Sequence, residues 1–136
     1  MEISFSNHRD LDHYEKLHPA LRDVLAWLHE YLPKSKTSRL VYTSIFRNYK
    51  KEIAQGRSGL HGLQRAADIV AIHTDGKPYT QQDYDAIGML LNCVFYYGDG
   101  GKHHVAVSAP HGTGPHIHLQ VRNETQKRIV KENENG

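Results

Sequence analysis

At 136 residues and 15.5 kDa the chain has the length of one domain and can bury about two-thirds of the surface its unfolded form exposes. A composition of 38% hydrophobic, 24% charged and 9% aromatic residues excludes collagen-like, coiled-coil and wholly disordered chains, and the net charge of +2 is too small to define a partner. A single cysteine, Cys93, excludes an intrachain disulfide and a thiolate zinc site, so a bound metal must be held by carboxylates and by some of the eleven histidines.

The opening Met-Glu-Ile-Ser-Phe-Ser lacks the basic start and apolar stretch of a secretory signal, and no apolar run has the length of a membrane span. The expectation is cytoplasmic synthesis without a signal peptide, and no membrane partner. A short helix is predicted around Asp10–Leu17. Leu21, Val24, Leu25, Leu28, Tyr31 and Leu32 then recur at helical spacing, which predicts an amphipathic helix over 19–32, opened by Pro19 and stopped by Pro33. Arg39–Phe46 alternates and is rich in β-branched and aromatic residues, as a strand is, and Ala67–Ile72 reads as another. A basic, glycine-containing loop joins them. Residues 34–57 carry seven basic residues against the single acid Glu52, a stretch that faces an anionic group or merely water.

Thr80 with Asp83 forms a capping-box start, after which Tyr84, Ile87, Leu91, Val94 and Phe95 keep helical period until Gly98. The period then changes to two. His104–Ser108 and His116–Val121 flank the turn-rich loop Ala109–Pro115 as the arms of a hairpin. This order of elements predicts an α+β fold with a central antiparallel sheet and flanking helices, in one domain over 1–122, followed by a flexible tail over 123–136, where Lys, Glu and Asn succeed one another without apolar period.

In the last strand, alternation puts His116, His118 and Gln120 on one face and Ile117, Leu119 and Val121 on the other, which is the core face. The polar face is either a solvated surface or a site, and two histidines in register favour a site. A second cluster runs Ser58-Gly59-Leu60-His61-Gly62-Leu63-Gln64-Arg65-Ala66-Ala67-Asp68-Ile69. On one continuous helix His61 and Asp68 would lie roughly 10 Å apart along the axis, too far to share an ion held at about 2 Å, so the chain must fold between them. Two imidazoles and a carboxylate are the ligand count of a catalytic zinc, which keeps a fourth position open, although the same donors suit other divalent ions. Taken singly, Asp68 also reads as a turn or capping residue and His61 as a surface or packed histidine.

His61-x6-Asp68 followed by His116-x-His118 resembles the signature of the LAS metallopeptidases, the group of lysostaphin, D-alanyl-D-alanine carboxypeptidase and the hedgehog signalling domain. Ser58, Leu60, His61, Arg65, Ala66, Asp68 and Ile69 are similar to the first motif of the hedgehog and D,D-peptidase branches, and His116-Ile117-His118 is similar to the last strand of hedgehog. The segment Tyr84–Tyr97 resembles the helix between these motifs. Thr43-Ser44-Ile45-Phe46-Arg47 resembles the Ser-x-x-Arg element of D,D-peptidases, whose arginine points into the substrate site. The likeness spans roughly residues 39–122.

The resemblance implies a zinc held by His61, Asp68 and His118, with His116 beside it as a catalytic or substrate-orienting group. It implies a peptidase acting on peptide bonds of bacterial peptidoglycan, of carboxypeptidase or endopeptidase type, encoded by a bacterium or by a bacteriophage that releases it on lysis or carries it in the virion. Arg47 would hold a substrate carboxylate or the developing oxyanion, with Ser58 and Gln120 as further substrate contacts. The sequence departs from the family at the base. No Asp or Glu stands anywhere from Gly100 through Arg122, and Thr113 and Pro115 occupy the places where relatives carry an acid. Gln64 stands where many D,D-peptidases have glycine. Proton handling is therefore expected of His116 and of His111 in the same loop. Tyr96, His103 and His104 are lesser candidates.

Two other function classes stay open: a zinc-keeping assembly or binding module without catalysis, and a metal-dependent nuclease or RNA binder using the basic 34–57 stretch. Against the last, only Tyr42, Phe46 and Tyr49 interleave with those charges, and no nucleic-acid motif occurs.

Overall fold

The computed structural model describes residues 1–7, 10, 14–45, 65–108 and 114–128. The first long helix, α1, spans Pro19–Lys34. His18 caps it: its imidazole accepts from the Ala20 amide at 3.1 Å, and Pro19 sits in the first turn, where a missing N–H costs nothing. Pro33 was expected to stop this helix, yet it lies inside the last turn. There it forfeits a single intrahelical bond, and Ser35 satisfies the end by donating from both its amide and its Oγ to the Leu32 carbonyl. Of the short helix expected around Asp10–Leu17, Asp10 and Tyr14 are helical, and residues 11–13 lie outside the described residues.

A five-stranded sheet forms the centre. Its strands are β1 (Glu2–Phe5), β2 (Thr37–Ser44), β3 (Ala66–His73), β5 (Ala106–Val107) and β6 (Ile117–Gln120), in the order β1-β2-β3-β6-β5. β2, β3, β6 and β5 pair antiparallel as expected. The sheet as a whole is mixed, because β1, which the polar-flanked sequence Glu-Ile-Ser-Phe did not announce, adds to β2 in parallel. β2 begins at Thr37 instead of Arg39 and its described part ends at Ser44; Phe46 lies outside the described residues. The hairpin arms pair over fewer residues than the alternation suggested, with Ala106 opposite Leu119 and Val107 opposite His118.

The second long helix, α2, spans Gln81–Val94. Its capping box is complete: Thr80 Oγ1 accepts from the Asp83 amide, and Asp83 Oδ2 accepts from the Thr80 amide at 2.8 Å. The amide of Thr80, more than any other contact, holds the Asp83 carboxyl below its ordinary value, with the His73 ring at 3.0 Å adding to it. A carboxyl whose pKa is depressed by folding contributes stability above its unfolded value of 3.8, and loses that contribution as pH falls through the lower folded value. Asp83→Asn is accordingly expected to cost about 1 kcal/mol near neutral pH, in the range for a lost cap, and the gap to wild type should close below about pH 4. Thermal melts of both proteins from pH 7 down to 3 measure this; a gap independent of pH would show that the carboxylate charge is not involved.

Helical period was expected to persist to Gly98, but α2 ends at Val94. Phe95 turns extended and, with Tyr96, forms β4. It pairs antiparallel with β7 (Gln126–Lys127), and the Arg128 amide donates to the Val94 carbonyl at 2.7 Å. The fold thus continues to Arg128, past the boundary expected at residue 122; residues 129–136 lie outside the described residues. Gly98, at φ +104, is where this strand turns: a Cβ there would stand 2.9 Å from Glu124 Cβ and 3.1 Å from its carbonyl oxygen.

Alternation decides what each face of the sheet carries. Leu40 and Tyr42 of β2, Ala67, Ile69 and Ala71 of β3, Ala106 of β5, and Ile117 and Leu119 of β6 are buried in one cluster with Leu21, Val24, Leu25, Leu28 and Leu32 of α1 and Tyr84, Ile87 and Leu91 of α2. Each fully buried aliphatic side chain there contributes roughly 1.5–3 kcal/mol. Polar bonds fix the layers in register: Tyr84 Oη accepts from the Ala71 amide at 3.0 Å, and His29 of α1 pairs with Tyr42 Oη. Both helices therefore pack on one face. The other face of β3 and β6 carries Asp68, His118 and Gln120. Among the described residues no helix is long and apolar enough to cross a membrane.

Candidate metal centre

Asp68 and His118 are directly opposed partners on the central strands β3 and β6. Their side chains meet on the face turned away from the helices, with His118 Nδ1 at 2.7 Å from Asp68 Oδ1. Ser44, at the end of β2, is the partner of Asp68 on its other side, and Thr43 Oγ1 donates to the Asp68 carbonyl at 3.2 Å. Asp68 is buried, at 7% exposure, so this carboxylate is held among neighbours and not in bulk water. The core side of the same strands explains the rigidity: Ala67, Ile69, Ile117 and Leu119 flank the pair in sequence and are all buried. A one-residue slip of register would drive the polar pair into the core.

Zinc bonds to nitrogen and oxygen at about 2.0–2.1 Å, so two tetrahedral donors stand roughly 3.3 Å apart. The observed pair is about 0.6 Å closer, at hydrogen-bond distance, and a carboxylate with an imidazole is a donor set that zinc accepts. The chemistry of this pair fits such an ion, for which Asp68 and His118 would be two of three protein ligands. Among the described residues no group of three His, Cys, Asp or Glu side chains forms a metal-holding set. The expected third ligand, His61, lies outside the described residues, as do Ser58, Arg47 and His111.

His116, one step before β6, is half-buried, and its Nδ1 lies 3.0 Å from the Gly114 carbonyl. A carbonyl only accepts, so Nδ1 donates, and Nε2 is the nitrogen left to exchange a proton. Gln120, expected as a substrate contact, has both ends of its amide engaged within the protein: Nε2 donates to the His104 carbonyl at 2.9 Å and Oε1 faces His118 Nε2 at 3.2 Å. The sequence could place Gln120 on the right face, but the bond to His104 needs a backbone atom from another segment. No pattern in one strand shows it.

The lesser candidates gather elsewhere. Tyr96, His103 and His104 line a cavity of about 390 Å³ between the end of α2 and the turn after it, together with Tyr97 and Arg128. Burial works upward on the Asp99 carboxyl there, but hydrogen bonds from the ring and amide of His103, and the charge of that ring, outweigh it and leave the carboxyl below its ordinary value. Arg128 lies over the Tyr96 ring at 5.5 Å.

No protein-family model matches the chain, and no curated protein matches it.

Proposed function

We propose that the protein is a zinc-dependent peptidase that hydrolyses peptide bonds of bacterial peptidoglycan. The observation that supports it best is the opposed pair Asp68 and His118, whose donor atoms converge on the helix-free face of the sheet, in the motif order that resembles the LAS metallopeptidases. His61, Asp68 and His118 would hold the ion. Zinc, when bound, supplies Lewis-acid polarisation of a carbonyl and acidification of water.

The chain's own residues supply the rest. His116 takes and returns the proton at Nε2, and His111, earlier in the sequence, assists. Arg47 orients the substrate by a bidentate pair with its terminal carboxylate, a task for which a planar guanidinium suits better than an ammonium. It follows in sequence the strand whose last residue, Ser44, is paired with Asp68. Ser58 is a further substrate contact. A metal site gives hydrolysis with little selectivity, so these contacts set the register of a muropeptide stem or its D-alanyl end.

A second reading keeps the zinc and drops the chemistry: an assembly or binding module on the same fold. It is favoured by the absence of any Asp or Glu from Gly100 through Arg122. Incubating zinc-loaded protein with purified peptidoglycan and with short D-Ala-ended peptides separates the two. New termini in the mass spectrum, lost on chelation and restored by zinc, are the expected result. No cleavage of either substrate by a sample containing stoichiometric zinc would establish the binding module instead.

A further inference from the structure

The polar face of β6 carries a chain of contacts whose direction is set by one backbone atom. Gln120 is clamped twice to the segment before β5: its amide donates to the Val105 carbonyl at 2.9 Å, and its side-chain Nε2 donates to the His104 carbonyl at 2.9 Å. Since a carbonyl offers no proton, the nitrogen of the Gln120 amide must occupy that end. The amide oxygen is therefore the atom that faces His118 Nε2, at 3.2 Å, and it offers an acceptor to a proton carried there. The remaining ring nitrogen, Nδ1, lies 2.7 Å from Asp68 Oδ1; a carboxylate also only accepts, so in the metal-free ring Nδ1 donates to it, and a zinc bound there would take the place of that proton.

We propose that Gln120 is a positioning residue of the metal centre: its anchored amide oxygen accepts from His118 Nε2 and holds the ring so that Nδ1 ligates beside Asp68. The inference rests on the metal-site reading above and adds to it which nitrogen binds and what holds it there. An imidazole without this partner can turn about its Cβ–Cγ bond or carry its proton on the wrong nitrogen, and either loses the lone pair at the ligating position. Outer-shell partners of ligating histidines generally change metal affinity by about 10- to 100-fold when removed. The anchor at His104 is what distinguishes Gln120 from a passing neighbour, since it holds the amide with its oxygen toward the ring.

The test compares wild type, Gln120→Leu and Gln120→Glu. Gln120→Leu loses both ends of the contact at similar volume, while Gln120→Glu keeps an acceptor for Nε2 and loses the donor to His104. Zinc affinity, measured by competition with a chromophoric chelator, should fall about 10- to 100-fold in Gln120→Leu and be largely restored in Gln120→Glu. Long-range proton–nitrogen spectra of zinc-loaded wild type, which need no variant to fold, should show His118 protonated at Nε2 and metal-bound at Nδ1. A wild-type spectrum with the two nitrogens exchanged, or equal affinities in wild type and Gln120→Leu, overturns the role of Gln120 while leaving the metal site standing. Wild type that binds no zinc overturns the metal site and this inference together.

Discussion

Replacing His118 with alanine is expected to abolish stoichiometric zinc binding and with it all turnover, while the fold survives. The side chain lies on the helix-free face, and its sequence neighbours Ile117 and Leu119 fill the core, so its removal opens no core cavity. What it removes is one of three proposed protein ligands, and two donors do not retain zinc against a chelator as three do. Asp68, buried at 7% exposure, loses its 2.7 Å partner, which should lower the stability of the metal-free protein by about 1–3 kcal/mol. Metal analysis after dialysis, with thermal melts as the folding control, decides the matter. One zinc per chain at wild-type affinity in His118→Ala would remove Asp68 and His118 from the proposed site.

That Asp68 and His118 meet was legible in part. Alternation in His116–Val121 assigned the polar face, and the strand at Ala67–Ile72 assigned Asp68 to regular structure, but only the pairing of β3 with β6 makes them opposite partners. The helices were legible because each has a local signature, a proline-opened apolar stripe in α1 and the Thr80–Asp83 box in α2. Their ends were less so. Pro33 is tolerated because Ser35 satisfies the last turn, and Phe95 leaves α2 because a strand partner waits for it at Lys127. Apolar residues such as Val94 and Phe95 satisfy both periods at a junction, so tertiary pairing decides. The same holds for residues 123–128: polar composition reads as a tail, yet Thr125 is buried and its Oγ1 donates to the Tyr97 carbonyl at 2.7 Å. A few long-range hydrogen bonds there outweigh a composition that carries almost no apolar surface.

His116→Ala is expected to leave zinc in place and to lower turnover by about 10²–10⁴-fold, the range for a lost general base. His116 stands one residue before β6, separated from His118 by Ile117, whose side chain is buried in the core. Its Nδ1 donates to the Gly114 carbonyl at 3.0 Å, which leaves Nε2 as the nitrogen that exchanges the proton. No carboxylate from Gly100 through Arg122 competes for the role. A proton acceptor in the reaction should also leave its mark on the pH profile: the acidic limb of kcat/KM belongs to the free enzyme's base, and it should change in His116→Ala while zinc content stays unchanged. His111→Ala should have the smaller effect, and the double variant should exceed His116→Ala if His111 partly replaces the missing base. Zinc-replete His116→Ala that cleaves wall peptides at the wild-type rate, alongside an inactive zinc-replete variant at some distant Asp or Glu, would assign the proton transfer to that carboxylate.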